Sequence, residues 1–182
     1  METLAKWTVD DYHRMIASGI LDDRRVELLA GEIHEMTPEA PIHTFCGGSL
    51  ADYFRNRLNR QALVREARPI TLADSSEPEP DIAIVRGSWS DYRERHPGAN
   101  DIYLVVEISN SSLTKDLEQK QPIYAAAEIQ EYWILDLTTL QLIVFRHPQG
   151  NKYQSRQDMK TGIVSPLAFP AITLSVEELF SV

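Results

Sequence analysis

Apolar residues fall into runs and stripes that mark out the elements of this chain. An apolar run, Tyr103 to Val106, continues to Ile108 and predicts a buried strand over 102–108. One acid, Glu107, interrupts it near its end. Asp81 to Val85 reads as another strand, with an acid at its mouth. Glu131 to Leu137 and Leu140 to Arg146 read as two more, and His147 to Asn151 as a hairpin turn into Lys152. Leu63 to Arg68 and Ile70 to Leu72 form one strand, or two separated by Pro69. Arg24 to Leu29 and Glu32 to Met36 read as a hairpin with Gly31 at its turn. Alternation puts Glu27 opposite Val26 and Leu28, either as a solvated strand acid or facing a cleft.

Helical spacing marks three further stretches. Thr8 caps a helix over Val9–Ser18 that Gly19 stops. Leu50, Phe54 and Leu58 share a stripe on a helix from His43 to about Arg60. Arg55, Arg57 and Arg60 at its end complement the helix dipole, or contact a phosphate. Over Leu113–Ala127 the stripe is Leu113, Leu117, Tyr124 and Ala127, and Lys120 falls at its centre. Pro122 kinks or restarts that helix. Residues 73–80 read as a polar loop and 86–100 as a surface loop. The stretch 162–172 reads as irregular apolar packing. Ser175 to Phe180 reads as a short helix with a capping box from Ser175 to Glu178.

A length of 182 residues fits one domain, 1–182, with a substantial core. The formal net charge of −9 argues against gripping nucleic acid by bulk charge. Any action on nucleic acid then needs a local basic surface, a basic partner or a metal. The single cysteine, Cys46, allows no intramolecular disulfide and no cysteine-rich zinc site, which fits a cytoplasmic setting. Met1 to Trp7 lacks a signal-peptide pattern. No apolar run approaches the ~20 residues of a membrane span, so no membrane partner is expected.

The candidate chemistry starts from Glu107. A carboxylate in a buried strand is costly unless something compensates it. Candidate compensators are a metal ion, with Asp81 as second carboxylate, and Lys120. Carboxylate oxygens, with the Ile108 backbone carbonyl as a third ligand, suit Mg²⁺ or Mn²⁺. Such an ion lowers the pKa of its water, and Lys120 would orient that water or neutralise charge on a phosphate. The plainer reading is a buried Glu107–Lys120 salt bridge. Asp116, four residues before Lys120, is its neighbour on the helix. Lys115 is the nearest competitor for the lysine role but falls on a more polar face. Gly48-Ser49 lacks the Gly-x-Ser-x-Gly elbow of serine hydrolases. The five histidines are scattered, and no glycine loop cradles phosphate.

Pro80-Asp81, Glu107-Ile108-Ser109, Asp116 to Lys120 and Glu131 to Asp136 together resemble the Uma-two family of restriction endonucleases, within the PD-(D/E)XK nuclease superfamily. Val26 to Ile33 and His43 also match, so the likeness spans most of the chain. It implies an α/β, restriction-endonuclease-like fold: a central mixed β-sheet flanked by helices, often as a homodimer. It implies an endonuclease that cuts nucleic acid, DNA in the first place, with Asp81 and Glu107 as metal ligands. Glu27 would match the N-terminal acid that assists the metal. The usual lysine two residues after the glutamate is replaced by Ser109, and the likeness suggests its relocation to Lys120. His43 matches a family position without an assigned role; helix-start packing explains it. The competing expectation is a non-catalytic module of the same fold, kept for nucleic-acid binding or dimerisation.

Overall fold

The architecture follows from strands that are apolar on both faces. In this computed structural model, which describes residues 4–180, such strands form the centre of a six-stranded sheet covered on either side there, while the edge strand over 152–159 is polar and largely exposed. The extreme ends of the expected 1–182 domain lie outside the described residues. The order is β3(Leu63–Glu66), β4(Ile82–Val85), β5(Ile102–Ser109), β6(Glu131–Asp136), β7(Gln141–Gln149) and β8(Lys152–Met159). All neighbours are antiparallel except β5 and β6, which run parallel with Glu107 opposite Ile134. The sheet is therefore mixed, as expected. A parallel pair needs a crossover, and residues 110–130 supply it.

Period-two alternation divides the sheet between two cores. Ile82, Ile84, Leu104, Val106, Trp133 and Leu135 pack under α2(Pro41–Leu58), against Leu50 and Phe54. Ala83, Val85, Val105, Tyr132 and Ile134 face the crossover side with Tyr124. Glu107 shares the Val105 register, so its side chain belongs to the crossover face.

The crossover is not one uniform helix. A short α3(Leu113–Lys115) leads into a π-helical turn, Asp116–Lys120, and α4(Gln121–Ala126) follows. Pro122 explains the interruption. In a regular helix its ring would meet the carbonyl of Glu118, and it has no N–H to donate. Widening the preceding turn relieves that clash, and the Gln121 N–H bonds to the Asp116 carbonyl five residues back. The expected kink takes this form, with Asp116 and Lys120 both buried on it.

The N-terminal α1(Val9–Ala17) carries the Thr8–Asp11 capping box. The hairpin β1(Val26–Leu29) and β2(Glu32–Glu35) turns through Ala30 and Gly31 at φ 47° and 78°. Both φ values are positive, as a two-residue hairpin turn requires. Several expected boundaries shift. α2 starts at Pro41 rather than His43, with proline in the first turn where no N–H is needed. Asn59 ends it in the left-handed region. Ile70–Leu72 is not a strand; Thr71 and Leu72 form isolated bridges to Gly98 and Ser76. The polar stretch 73–80 is largely buried from Ser76 onward, because Glu77 bridges to Leu28 beneath the hairpin. β7 runs on to Gln149, which shortens the expected turn to Gly150-Asn151. The surface loop holds two 3-10 turns, Trp89–Tyr92 and Ala99–Asp101. Near the end, Leu174–Ser175 pairs with Ile163–Val164, followed by a 3-10 turn, Glu177–Phe180.

Candidate functional site

Glu107 reaches the crossover face with 3% exposure, and three elements converge on it. Its Oε1 accepts hydrogen bonds from Lys120 Nζ at 2.9 Å and from the Tyr124 hydroxyl at 2.7 Å. The buried salt bridge expected on the plainer reading is therefore present. Lys120 Nζ also lies 3.3 Å from Glu27 Oε2. Glu27, fully buried on β1, accepts from Lys115 Nζ at 2.7 Å and from the Glu79 backbone N–H at 3.2 Å. That sets aside the solvated-acid alternative for Glu27.

Asp81 lies at the mouth of β4, as expected. Its Oδ2 accepts the Ile108 backbone N–H at 2.6 Å and sits 3.2 Å from His43 Nε2. N–H and C=O of one strand residue point to the same side. The Ile108 carbonyl therefore turns toward the Asp81 edge, and Ile108 lines the same cavity. Asp116 is tied down by Ser109 and Ser112, whose hydroxyls donate to its Oδ2 at 2.6 and 2.7 Å. Ser109, two residues after Glu107, thus holds an acid of the crossover.

These groups line a cavity of about 60 Å³. Glu27, Glu39, Glu79, Asp81, Glu107 and Asp116 face three fixed cations, Arg25, Lys115 and Lys120, together with His43. The excess of negative charge shows in the proton affinities. Burial pushes the Glu107 carboxyl well above the usual carboxylate range; Lys120 pulls it back, while Asp81, Asp116 and Glu27 push it further up. Burial alone would lower the Lys120 pKa, but Glu107, Glu27, Asp116 and Asp81 hold the amine protonated well beyond its usual range. Burial would raise Glu27, but Lys120 and Lys115 bring it below its ordinary value. Burial also raises Asp116, against the pull of Lys120 and two serine hydroxyls. One lysine is thus shared among more carboxylates than it neutralises.

Asp81, Glu107, Ile108, Lys120 and Glu27 therefore all reach one cavity. Lys115, read as lying on a polar face, reaches Glu27 instead. The hairpin covers that face, a contact that no helical wheel contains. Tyr124 was legible only as a stripe residue, and its hydroxyl as a Glu107 partner left no sequence signal. Glu39 was not singled out, although its four-residue spacing from His43 at the start of α2 is a legible pattern. The arginines ending α2 are engaged locally: Arg55 pairs with Asp52 and Glu66, and Arg57 lies over the Tyr53 ring.

The fold is of the restriction-endonuclease-like class: a mixed sheet with a carboxylate–lysine cavity between its strand ends and a crossover helix. It is similar to the solved structure described as "a putative nuclease belonging to DUF820 from Anabaena variabilis", with a TM-score of 0.73 and 19% identity. That similarity covers 95% of this chain and 97% of the other. A family model, Uma2, described as "Putative restriction endonuclease", matches residues 9–177, and the chain belongs to this family. No curated protein matches it.

Proposed function

We propose that the protein is a metal-dependent endonuclease that hydrolyses phosphodiester bonds of nucleic acid, DNA in the first place. The observation that carries this reading is the surplus of carboxylates around one shared lysine. The residues fit a hard divalent cation, because the donors are carboxylate oxygens and a backbone carbonyl and the cavity is short of positive charge. Asp81, Glu107 and the Ile108 carbonyl would hold Mg²⁺ or Mn²⁺. A cation bound there supplies Lewis acidity, neutralising phosphate charge and lowering the pKa of a nearby water.

The chain's own groups do the rest. Tyr124 donates to the same Glu107 oxygen as Lys120, which leaves the second oxygen for other partners. Lys120, kept protonated by its acidic neighbours, donates to the attacking water or to the phosphate oxygen on which charge builds. Glu27 anchors Lys120 and Lys115 together, so it is a positioning residue for both amines. Lys115 is partly exposed, with 27% side-chain accessibility, and stands at the rim where a phosphate would arrive. The reading extends to a homodimer in the cytoplasm. Among the described residues no helix is long and apolar enough to cross a membrane.

Calorimetry with Mn²⁺ on the parent, Asp81→Asn and Glu107→Gln, beside a plasmid-nicking assay in Mg²⁺, tests the proposal. The parent should take up the ion and nick DNA, and both variants should lose nicking. Absence of ion uptake and nicking in the parent would overturn it. The net charge of −9 favours a second reading, a non-catalytic module of the same fold. DNA binding that persists without metal, with no nicking, would establish that reading.

A further inference from the structure

The outer side of Asp81 carries a second constellation. Glu39, His43 and Asp81 each place a ligand atom within 4.8 Å of the other two, the one such group of three among the described residues. His43 is oriented from both sides. Its Nε2 lies 3.2 Å from Asp81 Oδ2, and its Nδ1 lies 3.5 Å from Glu39 Oε2. That Nδ1 is buried and makes no hydrogen bond. Arg25 occupies the other Glu39 oxygen at 3.1 Å, which leaves Oε2 turned to the histidine. The three residues form the wall between the central cavity and an open groove of about 190 Å³ beside α2, so solvent ions have a route in.

We propose that Glu39, one ring nitrogen of His43 and Asp81 bind a divalent cation of their own, with Asp81 shared between it and the Glu107 side. Two ligands each about 2.1 Å from one ion lie roughly 3.0–4.2 Å apart, and one donor atom from each of the three residues already lies within 4.8 Å of the others, so small side-chain rotations bring them onto one ion. Coordination through one ring nitrogen leaves the other free to donate a hydrogen bond, the usual way a ligating imidazole is held. An imidazole with two carboxylates selects Mn²⁺ or another transition ion over Mg²⁺, which takes oxygen ligands. The shared ligand makes this site rest on the metal-dependent reading above, and the spectroscopy below separates the two.

Mn²⁺ titration followed by electron paramagnetic resonance counts bound ions, and nitrogen hyperfine coupling reports imidazole coordination. The parent should bind two Mn²⁺ per chain with one nitrogen coupling. Glu39→Gln, a rim substitution with little bearing on folding, should weaken the outer ion ~10-fold or more. His43→Gln should abolish the nitrogen coupling, whereas Glu107→Gln should remove the inner ion and keep that coupling. One ion per parent chain, without nitrogen coupling and lost in Glu107→Gln, overturns this site and leaves the endonuclease reading standing. One ion with nitrogen coupling that survives Glu107→Gln supports this site and overturns the role of Glu107. No uptake by the parent overturns both.

Discussion

Replacing Lys120 with methionine removes the amine that the buried glutamates share while keeping an unbranched stem of similar volume. The Nζ lies 2.9 Å from Glu107 and 3.3 Å from Glu27, with all three side chains at most 4% exposed. Little packing is lost, so the effect is electrostatic. Breaking a buried pair from one side costs about 3–5 kcal/mol, because the remaining charge is left uncompensated. At this chain length 1 kcal/mol moves Tm by about 2–4 °C, so Lys120→Met should melt about 6–20 °C lower at pH 8. Glu107 has an escape, since taking a proton removes its charge. Its proton affinity is already raised, and loss of the amine raises it further. The gap between variant and parent should therefore narrow as the pH falls toward 5. Adding Glu107→Gln removes the stranded charge, so the double variant should recover much of the loss. Recovery is incomplete because Glu27 also loses a partner. Calorimetric melts of the parent, both single variants and the double variant give the coupling directly. A Lys120→Met melt indistinguishable from the parent at pH 8, or a double variant no more stable than the single, would refute the shared-amine argument.

Three further outcomes follow from the same cavity. Tyr124→Phe removes the 2.7 Å hydroxyl donor to Glu107 in a fully buried position and should destabilise by about 1–3 kcal/mol; urea unfolding with an unchanged slope checks this, and no loss would mean that the hydroxyl contributes nothing. Mn²⁺ at 100 times its Kd should add about 2.7 kcal/mol of stability, reversed by EDTA and diminished in Asp81→Asn; an equal shift in that variant argues against Asp81 as a ligand. The raised Glu107 pKa means that the metal-free folded state holds its proton more tightly than the unfolded chain does. That contribution is fully present below the ordinary carboxylate pKa and lost as pH rises through the folded value. Stability of the parent relative to Glu107→Gln should thus fall from about pH 4 upward. Urea midpoints at a series of pH values measure it, and a relative gain with pH contradicts the sign.

The sheet was legible because its strands carry their own pattern: Leu104 to Val106 and Tyr132 to Leu135 are apolar in succession, as strands covered on both faces must be. The site was legible as far as single elements reach. Asp81 at a strand mouth, Glu107 inside a strand and Lys120 on an apolar stripe each break a local rule, and each lines the cavity. What escaped depends on elements meeting. Lys115 looks solvated until the β1–β2 hairpin covers it. Tyr124 looks like ordinary core until its ring is seen to end beside Glu107. The π-helical turn is a response to Pro122 that a uniform wheel averages away, and His43 looked like helix-start packing until Asp81 came beside it.

The parallel pairing of β5 and β6 has a further consequence. It obliges the chain to cross from one strand end back to the other, and that single bridge carries Lys115, Asp116, Lys120 and Tyr124 together. If the bridge lifts, both glutamates lose their amines in one step, and two bare anions are left facing water. Amide exchange across residues 113–127 should therefore report one opening event rather than several independent ones. The segment acts as a block: loosening one residue's anchorage alters the protonation of the whole cavity.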